Sequence, residues 1–354
     1  MCMAKQIFFD DFIDKRLDTS KWSPVWGKFD PNKGTQMRFT DKNISFQYPD
    51  DLWLLGSAAT TQEDINKAPF LSAMVNTRKP DKGEILFQAK GQFVVSVKAK
   101  LPAARSSWPG IWMTGTKGDW PGCGEIDILE AKGWDKKNYQ ANVHTPRLGD
   151  EKKSQQKHKQ FREAEIPEAG TVDLTKDYHL YSVVKLNDRV DFYFDNNLWH
   201  TVKYSELDIA TPFTDPENGW LIKLSHIIGG SFLDSGGTEP GHDQYVDATK
   251  YKSDYPSTMK IDYVRVVSLD EEGDYTPELG ENFIRAYLPN GHDIDPNAPV
   301  PPPGGFPPPP GFLPPPPPGD YPPPPQPAPN QDEAQNKDGL HWDREKECIV
   351  FVML

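Results

Sequence analysis

The chain is 354 residues long and carries 52 Asp and Glu against 39 Lys and Arg, a formal net charge of −13. It therefore offers nucleic acid or anionic lipid no general electrostatic attraction and favours a neutral or cationic ligand. Three widely separated cysteines, Cys2, Cys123 and Cys348, outline neither a disulfide framework nor a zinc site, and no run of about 18 apolar residues exists to form a membrane span.

The first residues, Met1 to Lys5, lead straight into Gln6-Ile7-Phe8-Phe9 without the apolar core of a signal peptide. The expectation is a protein that stays inside the cell or one whose leader has been removed. Strands are expected at Gln6 to Phe12 and at Ile44 to Gln47, where Asn43-Ile44-Ser45 forms a glycosylation sequon. Glu84 to Gln88 follows, then Gly91 to Lys100, in which Phe93, Val95, Val97 and Ala99 alternate with Ser96, Lys98 and Lys100 as in a half-buried strand. Further strands are expected at Glu125 to Glu130, Gln140 to His144, Trp220 to Ser225 and Lys260 to Ser268. Tyr178 to Leu186 and Arg189 to Phe194 read as a hairpin closed by Asn187-Asp188. Many short strands, frequent turn residues and no long helical period predict an all-β fold, an antiparallel sandwich.

Twenty of the 36 prolines fall between Pro296 and Pro329, so the composition describes two objects. Residues 1–268 read as one domain, 269–299 as an extension or linker, 300–330 as a low-complexity polyproline segment and 331–354 as a tail without an assigned role. Phe306, Phe312 and Tyr321 head three proline runs, which favour polyproline II in an otherwise disordered tail. A semi-rigid spacer is the plainer reading and a ligand for a proline-binding module the sharper one. The final Ile349 to Leu354 is too short for the apolar tail of a lipid-anchor signal. Residues 1 to about 270 are expected to keep full activity without the tail.

The most informative stretch is Trp120-Pro121-Gly122-Cys123-Gly124-Glu125-Ile126-Asp127-Ile128-Leu129-Glu130. Glu125 and Asp127 share a strand face because side chains repeat every two residues, whereas Glu130 lies an odd number of positions away. One extra residue inserted near Ile128-Leu129 as a β-bulge restores the parity, so the paired-acid reading predicts a bulged strand. The two glutamates are then roughly 13 Å apart at Cα, close enough for inclined side chains to reach the carboxylate separation of about 5 Å used by retaining glycosidases. One glutamate would attack the anomeric carbon while the other protonates the departing oxygen and then activates water. Asp127 between them would bond to the nucleophile. A helical patch does not explain these spacings, and Gly122 and Gly124 are poor helix formers. A solvated acidic strand face remains the competing explanation. Trp108, Trp112, Trp120 and Trp134, with His144 close behind, favour chemistry on sugars, whose apolar ring faces suit flat aromatic walls. Some of these tryptophans, and His144, equally suit a plain core.

These residues, with Trp108-Pro109-Gly110-Ile111-Trp112-Met113, resemble glycoside hydrolase family 16 in its bulged branch of laminarinase-like endo-β-1,3-glucanases. Echoes include Phe9-Asp10-Asp11-Phe12, Val190-Asp191-Phe192-Tyr193, Gly229-Gly230 and Ile261-Asp262-Tyr263-Val264-Arg265-Val266. The resemblance implies a concanavalin-like antiparallel jelly roll and a retaining mechanism with Glu125 as nucleophile, Glu130 as acid/base and Asp127 as assistant. It also implies sugar contacts from Trp112, Trp120 and His144, with Trp108, Trp134 and Phe232 as further candidates. No catalytic cofactor is implied, but a structural calcium at Asp11 and Asp262 is. Ser225 and Phe232 stand where the family commonly has Asn and Trp.

The functions that follow are endo-cleavage of β-1,3 or mixed-linkage β-glucan, transglycosylation on the same scaffold, or glucan binding without catalysis. A polysaccharide partner, no nucleic-acid partner and a monomeric state are expected. Such a substrate places the protein outside the cell or at the wall.

Overall fold

In a computed structural model, the protein is described at residues 4–29, 33–47, 51–80, 83–234, 245–271 and 282–287, and by backbone alone at Leu340–Asp343 and Cys348–Phe351. The chain divides into two compact units, Met1–Pro296 and Asn297–Leu354.

The first unit is a sandwich of two sheets, antiparallel throughout except for the pairing of Met37–Phe39 with Phe70–Ser72. The eight-stranded sheet runs Asp150–Gln156, Tyr139–Arg147, Glu125–Ala131, Ser107–Gly115, Trp220–Ile228, Met74–Asn76 and Ser23–Pro24, with Lys159–Gln160 on its second strand. The eleven-stranded sheet is centred on Phe93–Lys100 and Ser257–Ser268. Alternation explains how they meet. Phe93, Val95, Val97 and Ala99 turn inward against Ile111, Met113, Ile126, Leu129, Val143, Ile222 and Leu224, and burying these side chains supplies the main cohesive term. The intervening residues of the eight-stranded sheet therefore line its outer face. This is the expected all-β jelly-roll sandwich.

Several elements differ from expectation. Glu84 to Gln88 is not a ladder strand: Leu86 and Phe87 both donate their N–H to the Thr77 carbonyl, at 2.9 and 3.1 Å, so a local turn satisfies the backbone. Ser107–Gly115 is a central strand although Pro109 and Gly110 interrupt its pattern, and Asp150–Gln156 is a wholly polar edge strand. The sequon at Asn43 is structural. The residue is 4% exposed and its Nδ2 donates to Leu55 O at 2.8 Å and Ser57 Oγ at 3.0 Å, bonds that a glycan on that nitrogen would have to break.

The boundary expected at Ser268 falls inside the first unit. Phe283 and Ile284 are buried on the outer face of the eleven-stranded sheet with Val94, Leu180, Val184, Tyr193, Tyr263 and Val267. Phe283 stacks on Tyr193 at 4.3 Å, and Tyr287 donates to Asp191 Oδ2 at 2.9 Å. Part of the segment expected as a linker thus completes a second apolar cluster.

In the second unit, Leu340–Asp343 and Cys348–Phe351 pair antiparallel. The expected polyproline segment, 300–330, lies outside the described residues.

Candidate active site

The strand Glu125–Ala131 is bulged as its spacing requires. Toward Tyr139–Arg147, Asp127 pairs with Asn142 and Glu130 with Gln140, so three steps on one strand oppose two on the other. Toward Ser107–Gly115, Glu125, Asp127 and Glu130 pair with Thr114, Trp112 and Gly110. Those partners are alternate residues of one strand, so the three acids share the outer face while Ile126 and Leu129 point into the core. Gly124 opens the strand at φ +76°, where a Cβ would come within 2.8 Å of Pro212. Glycine alone suits that turn.

Each acid has its own partners. Glu125 Oε2 accepts the indole N–H of Trp120, which is 51% exposed at the cleft edge. Glu130 Oε1 accepts from Trp108 Nε1 at 3.2 Å and its Oε2 from Gln140 Nε2 at 3.0 Å. Asp127 is 1% exposed, and its Oδ2 lies 3.2 Å from His144 Nε2.

The hydrogen-bond pattern sets the protons. Ser154 Oγ donates to Gln155 O, so it accepts from His144 Nδ1 at 2.9 Å. Asn142 Oδ1 takes the Val143 N–H, so its Nδ2 donates to His144 Nε2 at 3.0 Å. A lone pair thus faces Asp127, whose buried Oδ2 receives no N–H, and the neutral acid is favoured there. Burial, then the Glu130 charge, pushes Asp127 well above the ordinary carboxylate range. Burial followed by the Asp127 charge pushes Glu125 up to about 8, and burial foremost raises Glu130. Crowded buried carboxyls of this kind share protons as a unit.

This arrangement has a thermodynamic signature. A carboxyl whose folded pKa lies above its unfolded value stabilises the fold fully below the unfolded pKa, and that stabilisation is lost as pH rises through the folded one. Asp127→Asn removes the buried acid and keeps its shape. Its melting temperature should equal the parent's near pH 4 and exceed it increasingly up to pH 8. A constant offset across that range in calorimetric scans would show Asp127 to be ionised in the fold.

The tryptophans divide. Trp108 is buried and stacks on Phe232 at 4.7 Å, so both build the wall behind Glu130. Trp112 donates to Ser225 Oγ at 3.1 Å, and the Lys223 ammonium lies 4.2 Å above its ring. Trp134 bonds to Leu233 O at 3.1 Å and stacks on Tyr245 at 5.9 Å. Sequence reasoning missed Gln140 and Lys223. Alternation of Gln140, Asn142 and His144 along one strand could have shown the first to face the acids, whereas nothing local marked Lys223.

Asp11 and Asp262 by themselves do not fit the calcium expected of them. Asp11 Oδ1 accepts the Ile13 N–H at 3.4 Å, and Asp262 forms an ion pair of 2.6 Å with Lys98. A cation at Asp262 would compete with that ammonium, so Asp11 and Asp262 would need further oxygens from the backbone to hold calcium. Donor atoms of Glu125, Asp127 and His144 converge within 4.8 Å, the one such set among the described residues. The nearby Lys223 ammonium disfavours a further cation there.

The fold is a jelly-roll sandwich whose outer face carries three acids among tryptophans. The sequence profile of glycosyl hydrolases family 16 matches residues 65–264, more than half of the chain, and the chain belongs to that family. It is 27% identical over 279 residues to glucan endo-1,3-beta-glucosidase A1 of Niallia circulans, covering 73% of this chain and 37% of that protein. Over 184 residues it is 26% identical to the beta-glucanase of Rhodothermus marinus, covering 48% of this chain and 55% of that one. The chain thus spans about a third to a half of these relatives' lengths. The laminarinase catalytic domain of Thermotoga maritima shares the fold with a TM-score of 0.58 at 23% identity, over 77% of this chain and 99% of that domain.

Proposed function

We propose that the protein is a retaining endo-glycosidase acting on β-glucan with β-1,3 or mixed β-1,3/1,4 linkages. The observation carrying this reading is the bulge, which turns three acids to one face and gives the outer two different partners. A glucan-binding protein without catalysis has no need of buried carboxyls held at such electrostatic cost. The printed activities of the two curated relatives support the choice of substrate.

In this reading Glu125 attacks the anomeric carbon through a carboxylate oxygen. The glycosidic bond breaks as Glu130 passes its proton to the departing oxygen, and a glycosyl ester of Glu125 remains. Water then bonds to the anomeric carbon, gives a proton to Glu130 and releases Glu125. Asp127 shares the site's protons with Glu125 and disperses the charge that returns to the nucleophile. These steps use side chains alone. Trp120 and Trp112 provide apolar surface for the sugar rings beside Glu125, and Trp108 with Phe232 backs the opposite side.

Proton NMR of early laminarin and lichenan hydrolysis should show the β-anomer appearing first and mutarotating to α. Initial α-anomer would rule out double displacement. Products longer than the starting oligosaccharide would show that a sugar hydroxyl outcompetes water, making the protein a transglycosylase on the same ester intermediate.

A further inference from the structure

Lys223 has no part in the steps above, yet it stands among them. On the outer face of the eight-stranded sheet it pairs with Trp112, and Trp112 pairs with Asp127, so the three occupy one row across neighbouring strands. It interrupts Trp220-Leu221-Ile222-Lys223-Leu224, an otherwise apolar run. Its ammonium rests 4.2 Å over the Trp112 ring and makes no hydrogen bond or ion pair with a described residue. A half-buried cation without an acceptor carries a desolvation cost that nothing in the fold requires. A cation–π contact fixes its place without consuming its charge.

We propose that Lys223 is a positioning residue for the reaction: its ammonium, held on Trp112, is the fixed counter-charge that lets Glu125 stand as a carboxylate nucleophile. This rests on the glycosidase reading above. The groups facing Lys223 are Glu125 and Asp127 from the acid strand, Cys123 from the turn before it, Arg78 from the turn beyond Met74–Asn76, and the Trp112 ring. Those facing Glu125 are Asp127, Glu130, Cys123, His144, Lys223 and the Trp120 N–H. His144 directs a lone pair toward Asp127 by the bonding pattern above, and Arg78 Nε is engaged by Gly83 O at 3.1 Å. Burial raises Glu125; the charges that oppose it are His144 first and then Lys223, and of the two it is Lys223 whose side chain makes no hydrogen bond of its own among the described residues. The influence is mutual: burial lowers Lys223 from the ordinary lysine range, and Glu125 is the first of the groups that raise it back.

The test measures Glu125 directly, in the full chain and without substrate. Protein labelled with ¹³C at the glutamate carboxyl is titrated by NMR, and the Glu125 signal is identified by its loss in Glu125→Gln. In Lys223→Met, which keeps length and contact with Trp112, the Glu125 midpoint should rise by about one pH unit, a tenfold loss of carboxylate at a given pH below it. Lys223→Arg should leave the midpoint near the parent value. On laminarin, the acid limb of the kcat/KM profile should move with the midpoint in Lys223→Met while KM changes little. Should the Met variant fail to fold, Lys223→Gln supplies the uncharged comparison. An unmoved midpoint overturns the proposal, whether KM rises, marking a sugar contact, or only stability falls, marking a packing role. Because the titration needs no turnover, a chain inactive on every glucan still tests Lys223, and an active chain with an unmoved midpoint sinks this inference alone.

Discussion

Glu125→Gln should lower kcat on laminarin by about 10⁴-fold or more while leaving oligosaccharide binding within a few fold, because the amide keeps the shape and removes the nucleophile. Glu130→Gln should be milder on glucan, about 10²- to 10⁴-fold, the ordinary range for a general acid. The two roles separate with leaving group. An aryl β-glycoside of an acidic phenol departs without protonation, so Glu130→Gln should form the glycosyl ester at close to the parental rate and stall at its hydrolysis. Added azide should then restore turnover with a β-glycosyl azide product, since an anionic nucleophile needs no base. Glu125→Gln should gain nothing from the same phenol. The structure gives physical grounds for this asymmetry: Trp120 donates to Glu125 at the exposed cleft edge, whereas Glu130 sits between Trp108 and Gln140. Equal rescue of both variants by the activated substrate would overturn the assignment.

The second large effect concerns the end of the catalytic unit. A chain cut after Ser268 loses Phe283 and Ile284 and uncovers Val94, Leu180, Val184, Tyr193, Tyr263 and Val267. At about 1.5–3 kcal/mol for each large side chain, the loss approaches 3–6 kcal/mol, an upper value because unfolded chains bury some apolar surface. The melting temperature should fall by about 10 °C or more relative to a chain ending at Pro296, and the exposed patch should promote aggregation. The Pro296 chain should match the full-length protein in glucan turnover. Coincident melting of the two truncations would show that 282–287 adds nothing. On this reading the end of the unit needed for activity lies nearer Pro296 than 270.

That boundary shows where sequence reading stops. Proline density marked a change of composition, but a composition shift records local preference only. Phe283 and Ile284 belong to the fold through partners about 14 to 280 residues earlier, and no local pattern encodes such a meeting. The same limit hid Ser107–Gly115, whose Pro109 and Gly110 argue against a strand until both neighbouring strands are present to hold it. It also gave Asn43 the look of a surface sequon when its amide is spent on Leu55 and Ser57.

The acid strand lies at the other extreme. Two-residue periodicity is a property of any extended chain, so Glu125, Asp127 and Glu130 could share a face only if one residue were accommodated between Asp127 and Glu130, and the registers show that bulge. Identity, order and facing of the acids were thus determined by local geometry, which sequence carries in full. Their ionisation was decided by the tertiary structure alone. Whether Asp127 keeps its proton depends on which way His144 is turned by Ser154 and Asn142, and Lys223 reaches the site from a strand nearly a hundred residues away. Charge acts through space and burial, and neither quantity exists until the sheets have closed.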